Sequence, residues 1–205
     1  MRFYRFYILL ALLFLHGLSK AQQLEPRLFT NIPRGMNFIV GGYGYSSGNM
    51  LFDPALPLEN VNVRLNSFAA AYIRSIDFFG LSSKVDVNGA YGIGDWTGTL
   101  SNIDTSTSRS GFSDLRFRLS VNITGAPSLK TSEFSTYKPK LITGVSLQVI
   151  APTGQYDPEL LINLSSDRWV LRPQIGISRN YNHWMFEAYF STWIFFPNYN
   201  FFGGN

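Results

Sequence analysis

From Asp114 to Ile123 the chain alternates strictly between polar and apolar side chains. Leu115, Phe117, Leu119, Val121 and Ile123 interleave with Asp114, Arg116, Arg118, Ser120 and Asn122. Successive side chains of a β-strand point to opposite faces, so this stretch has one greasy face and one carrying two arginines and an aspartate. A helix would scatter both sets around its circumference. The same period recurs along the chain. Leu81, Val85, Val87, Tyr91 and Ile93 alternate with Ser82, Lys84, Asp86 and Asn88, and Leu141, Val145, Leu147 and Val149 with Gly144, Ser146 and Gln148. Trp169, Leu171, Ile175 and Ile177 oppose Arg172, Gln174 and Ser178, while Trp184, Phe186, Phe190, Ile194 and Phe196 oppose Glu187 and Ser191. Two segments are less regular. Asn60 to Arg74 sets Val61, Val63 and Leu65 against Asn62, Arg64 and Asn66 before blurring at Phe68-Ala69-Ala70-Ala71, and Asn37 to Tyr45 is Gly-rich. Seven strands are expected, each of about ten residues or a little more. Strands of soluble domains run about 5–6 residues, whereas about ten tilted residues cross a bilayer.

The connections alternate in length. Ser46 to Glu59, Asp95 to Phe112 and Pro152 to Asp167 read as long polar loops, while Asp77 to Gly80 and Arg179 to His183 read as short turns. That asymmetry belongs to antiparallel up-and-down barrels of the outer membrane. Gly125 to Tyr137 is longer than its side predicts, and Lys130 to Phe134 within it is expected to form one helical turn. Tyr91, Trp96, Trp169 and Phe196 fall at strand ends near the long loops and Trp184 at an opposite end, the placement of an interfacial aromatic girdle. A soluble sandwich with these rings in its core is the competing reading. It needs a charged outer surface, and only 15% of the residues are charged, against about 25% in soluble domains.

Arg2 and Arg5 precede the apolar run Ile8 to Leu15, and Ser19-Lys20-Ala21 ends on a small residue. This reads as a secretory signal peptide over 1–21, since the run is too short to span a membrane. The organisation expected is 1–21 signal peptide, 22–35 periplasmic segment and 36–205 barrel, exported to the outer membrane. The leader holds three of the 17 basic residues and none of the 13 acidic ones, so fourteen positive charges face thirteen negative ones in the rest. The argument for nucleic-acid binding disappears with it. The absence of cysteine excludes disulfides, thiolate metal sites and thiol catalysis.

Turning the polar faces inward puts Arg64, Arg74, Lys84, Asp86, Asp114, Arg116, Arg118, Arg172 and Glu187 in the lumen. These nine charges sum to +3, a field favouring anions. The same charges could instead brace a plugged interior. No catalytic group, cofactor or metal site is proposed. His183, the only histidine after the leader, has no partnered serine, and Asp157, Glu159 and Asp167 read as a solvated loop surface rather than a calcium site. Bacterial barrels use even strand numbers and an open edge is not viable in lipid, so seven strands ending at Phe201-Phe202-Gly203-Gly204-Asn205 read as C-terminally truncated.

Two blocks carry a resemblance. Gly111-Phe112-Ser113-Asp114-Leu115 through Thr124-Gly125-Ala126-Pro127 is one; Ala151-Pro152-Thr153-Gly154-Gln155-Tyr156-Asp157-Pro158 with Asn163-Leu164-Ser165-Ser166-Asp167-Arg168-Trp169 is the other. Together they resemble the outer-membrane barrel family of the MetA pathway of phenol degradation, with Asp167 where Asn is expected before Arg-Trp. The resemblance implies a barrel and transport of small, aromatic solutes, and brings no site residues with it. The expected function is therefore a channel or transporter rather than an enzyme, with a structural or adhesive barrel as the alternative. The expected partners are outer-membrane lipid, the barrel assembly machinery and an unidentified small solute.

Overall fold

In the computed structural model, residues 25–50, 58–138 and 141–201 are described; the leader lies outside them. The chain forms one antiparallel sheet: β1 (Asn37–Asn49), β2 (Leu58–Phe78), β3 (Leu81–Leu100), β4 (Ile103–Phe112), β5 (Leu115–Thr124), β6 (Ile142–Ala151), β7 (Val170–Tyr181), β8 (Trp184–Ser191) and β9 (Ile194–Phe195). A single helical turn, α1 (Thr131–Phe134), lies in the β5–β6 connection, where the Glu133 carboxylate accepts the Lys130 N–H at 2.8 Å. The order across the sheet is β1-β2-β3-β5-β6-β7-β8, with β4 on β3 and β9 on β7.

Nine elements make seven wall strands. β3 pairs with β4 through Tyr91–Leu100 and with β5 through Ser83–Asn88, so β4 and β5 are one strand interrupted at Ser113-Asp114. β8 and β9 likewise both pair with β7, either side of Thr192-Trp193. The sheet curls as a half-barrel, and among the described residues β1 and β8 are its two ends with no ladder between them.

The segment read as the loop Asp95 to Phe112 is instead a hairpin. β3 runs on to Leu100 and returns as β4 through Ser101-Asn102, both at positive φ (50° and 67°). Two consecutive left-handed residues match the twist of a two-residue hairpin turn. The polar run Asp104 to Arg109 carries no amphipathic signal, which hid the strands. Phe79-Gly80, at φ 52° and 81°, turns β2 into β3 in the same way. At 21 and 20 residues, β2 and β3 are about 65–70 Å long, twice a membrane-spanning strand.

Burial runs opposite to that of a soluble sheet. Ser120, Asn122, Ser146, Gln148, Arg172, Gln174 and Ser178 are buried, while Phe117, Leu147, Ile175, Ile177, Phe186 and Phe190 are exposed, Phe190 to 71%. Antiparallel neighbours in register share a face, so each set continues from strand to strand. The sheet is polar on the face it covers and apolar on the face it shows.

Candidate functional site

The covered face is closed by two segments of the chain itself. From the short-turn end, residues 25–35 run along it, and from the other end the loop Pro152 to Trp169 folds over it. Between them the wall presents a rung of charge. Asp86 on β3 stands beside Arg118 on β5, Arg118 beside Gln148 on β6, and Gln148 beside Arg172 on β7. Arg118 donates through Nε to Asp86 Oδ2 at 2.9 Å and through Nη2 to Oδ1 at 3.3 Å. Arg172 Nε donates to Ser191 Oγ at 3.3 Å, and its guanidinium lies 4.7 Å from the centre of the Trp193 ring. Strand alternation makes such a rung possible, because one face of four neighbouring strands is polar at the same height.

Glu25 enters this rung from the N-terminal segment. Its carboxylate bridges two cations, Oε2 taking Arg118 Nη1 and Oε1 taking Arg172 Nη1 at 2.8 Å. All three charged groups are largely buried, so each depends on the others for compensation. Four residues on, Phe29 is fully buried in a socket with Leu28, Ala126, Ile142 and Tyr189, its ring 5.8 Å from that of Tyr189. The floor of the socket is Gly144 beside Gly176, where a Cβ on either residue would strike the Phe29 ring. Lys84 Nζ donates to the carbonyls of Arg27 and Thr30 at 3.4 Å, and Glu187 accepts the Arg27 N–H at 3.0 Å. Ser75 Oγ, donating to the Pro33 carbonyl at 2.6 Å and accepting the Met36 N–H at 2.8 Å, leads the segment into β1.

Asp114 anchors the second segment. Sitting in the break between β4 and β5, its carboxylate accepts from Gly154 N–H at 3.0 Å, Ser165 Oγ at 2.5 Å, Ser166 N–H at 2.9 Å and Ser166 Oγ at 3.0 Å. The blocks that carry the family resemblance therefore meet at one carboxylate. Gln155 N–H donates to the Phe112 carbonyl at 2.9 Å, and Arg109 Nε to the Ile162 carbonyl at 3.3 Å. The Leu164 methyls lie over Gly92 beside Leu65, and Ile162 shares a crevice with Val61 and Trp96.

Of the nine charges assigned to the interior, Lys84, Asp86, Asp114, Arg116, Arg118, Arg172 and Glu187 stand on the covered side. Arg64 and Arg74 do not. Arg64 pairs in register with Asp95, and Arg74 with Val85 and Asn37, all on the exposed face. The phase of β2 is opposite to the one expected, because Val61, Val63 and Leu65 turn inward toward Ile162 and Leu164. Trp96, opposite Val63, is correspondingly 5% exposed and is not an interfacial girdle residue. Sequence reasoning also missed Glu25 and Phe29, in a segment without periodicity, and Arg109, in the hairpin read as a loop. With Arg64 and Arg74 removed and Glu25 and Arg109 added, five basic groups face four acidic ones, and the +3 excess shrinks to +1. The His183 turn is exposed. Asp157 serves its own loop, its Oδ1 accepting the Glu159 N–H at 2.9 Å. Among the described residues no three His, Cys, Asp or Glu side chains gather as a metal site would require.

A meandering sheet with a polar covered face and an apolar exposed one defines a barrel wall of the outer-membrane type. The family model described as "Putative MetA-pathway of phenol degradation" matches residues 27–199, and the chain belongs to that family. Among solved structures, the fold is similar to that of the COG4313 outer membrane channel from Pseudomonas putida F1, with a TM-score of 0.65 at 16% identity over 88% of this chain. The chain spans 64% of the length of that protein. No curated protein matches the sequence.

Proposed function

We propose that this chain forms the wall of an outer-membrane channel for small solutes, including aromatic compounds of the kind the family's name invokes. The carrying observation is the inverted burial: from β5 to β8 an apolar outer face suited to lipid backs a polar, charged inner face suited to water and solute. The similar solved structure is described as an outer membrane channel, which supports the same reading. Export by a signal peptide, insertion by the barrel assembly machinery and residence in outer-membrane lipid belong to this proposal, as does transport rather than catalysis. The inner-face charges Lys84, Asp86, Arg116, Arg118, Arg172 and Glu187 are proposed to line the solute path.

A second reading has its own observation. Residues 25–35 and the loop Pro152 to Trp169 fill the covered face from both ends, which suits a plugged barrel acting through its outer loops. Planar-bilayer recording of the full-length protein separates the two. Discrete conductance steps, enlarged in Phe29→Ala, are expected for the channel. A protein that inserts but stays silent as wild type and as Phe29→Ala would leave the plugged barrel standing.

A further inference from the structure

We infer that Arg118 and Arg172 form a binding site for small carboxylates on the inner wall, and that Glu25 is its tethered occupant. The inference rests on the channel reading for its physiological meaning, though the site itself is defined by geometry alone. The rung carries two guanidiniums and one carboxylate, Asp86, which is engaged by Arg118 through Nε and Nη2. A second carboxylate completes it, and that one comes from the N-terminal segment rather than from the wall. Each Glu25 oxygen takes one N–H from a different arginine, so the pair recognises a planar two-oxygen anion. Side-chain exposures of 16% for Arg118 and 5% for Arg172 show that these cations are well removed from water. Departure of Glu25 would free the one N–H that each guanidinium gives it, a place for another carboxylate.

The neighbourhood suits an organic carboxylate better than an inorganic ion. Trp193 faces the Arg172 guanidinium and stacks on Phe195 at 6.2 Å with an interplanar angle of 11°, an apolar border beside the charged rung. A solute carboxylate and Glu25 thus compete for the same donors. A tethered competitor lowers apparent affinity by the fraction of time it leaves the site open.

Isothermal titration of benzoate into the full-length protein in micelles tests this without requiring conduction. Wild type is expected to bind weakly, and Glu25→Gln at least about tenfold more tightly, the factor for a site that is self-occupied nine-tenths of the time. Phe29→Ala, which releases the segment without touching the arginines, should tighten binding in the same direction. Arg172→Gln added to Glu25→Gln should abolish it, and phenol, which lacks the carboxylate, should not compete. Equal benzoate affinity in wild type, Glu25→Gln and Phe29→Ala would overturn the inference, as would undiminished binding after loss of Arg172. A protein that conducts but shows no tightening refutes the carboxylate site alone. One that binds benzoate as described yet never conducts refutes the channel alone.

Discussion

Replacing Asp114 by Asn changes one atom at the point where the inner loop is fastened to the wall. Oδ1 accepts from Gly154 N–H and Ser165 Oγ, and Oδ2 from Ser166 N–H and Ser166 Oγ. An amide can present its oxygen to only one of these pairs. In either orientation its NH2 faces a backbone N–H, that of Ser166 or of Gly154, while a serine hydroxyl can rotate and accept. One buried donor is orphaned and the remaining bonds lose their charge assistance. The cost is about 2–3 kcal/mol, or roughly thirty- to a hundred-and-fifty-fold in the loop's opening equilibrium. The Gln155 amide is a clean reporter, since it bonds to the Phe112 carbonyl and not to Asp114. Native-state hydrogen exchange should show it faster by that factor in Asp114→Asn, with the β5–β6 ladder amides of Leu119 and Leu147 unchanged. Unaltered protection at Gln155 would refute the assignment of Asp114 as the fastening.

The N-terminal segment offers a parallel test: Phe29→Ala should lose about 3–5 kcal/mol of docking, read as rapid tryptic cleavage after Arg27 and Arg34 while the barrel's melting temperature holds. Gly144→Val should copy that cleavage pattern by filling the socket, and the double variant should be no worse than either alone, because both remove the same contact. Arg118→Ala takes the paired guanidinium from Asp86 and one of the two from Glu25, and is expected to destabilise the fold by about 3–5 kcal/mol. Arg64→Ala, on the exposed face, should stay within about 0.5 kcal/mol. Urea unfolding from micelles ranks the two, and comparable losses would mean that β2 has the other phase.

The sequence by itself determined the strands whose two faces differ in polarity. β5, β6, β7, β8 and the first half of β3 are legible because Arg118, Gln148, Arg172 and Glu187 alternate with large apolar residues, and a period of two has one structural meaning. It also carried the family, through two blocks that converge on Asp114. Alternation separates two faces without saying which is inside, and for β2 only the tertiary structure decided. Val61, Val63 and Leu65 resemble lipid-facing residues, yet the wall there is covered by Ile162 and Leu164 of a loop about a hundred residues further along the chain. The apolar face turns inward because that apolar cover exists, and Arg64 turns outward opposite Asp95. Glu25 and Phe29 were silent for a related reason. A segment that runs irregularly along a wall has no period, and its meaning lies in the two arginines and two glycines that β5, β6 and β7 bring within reach.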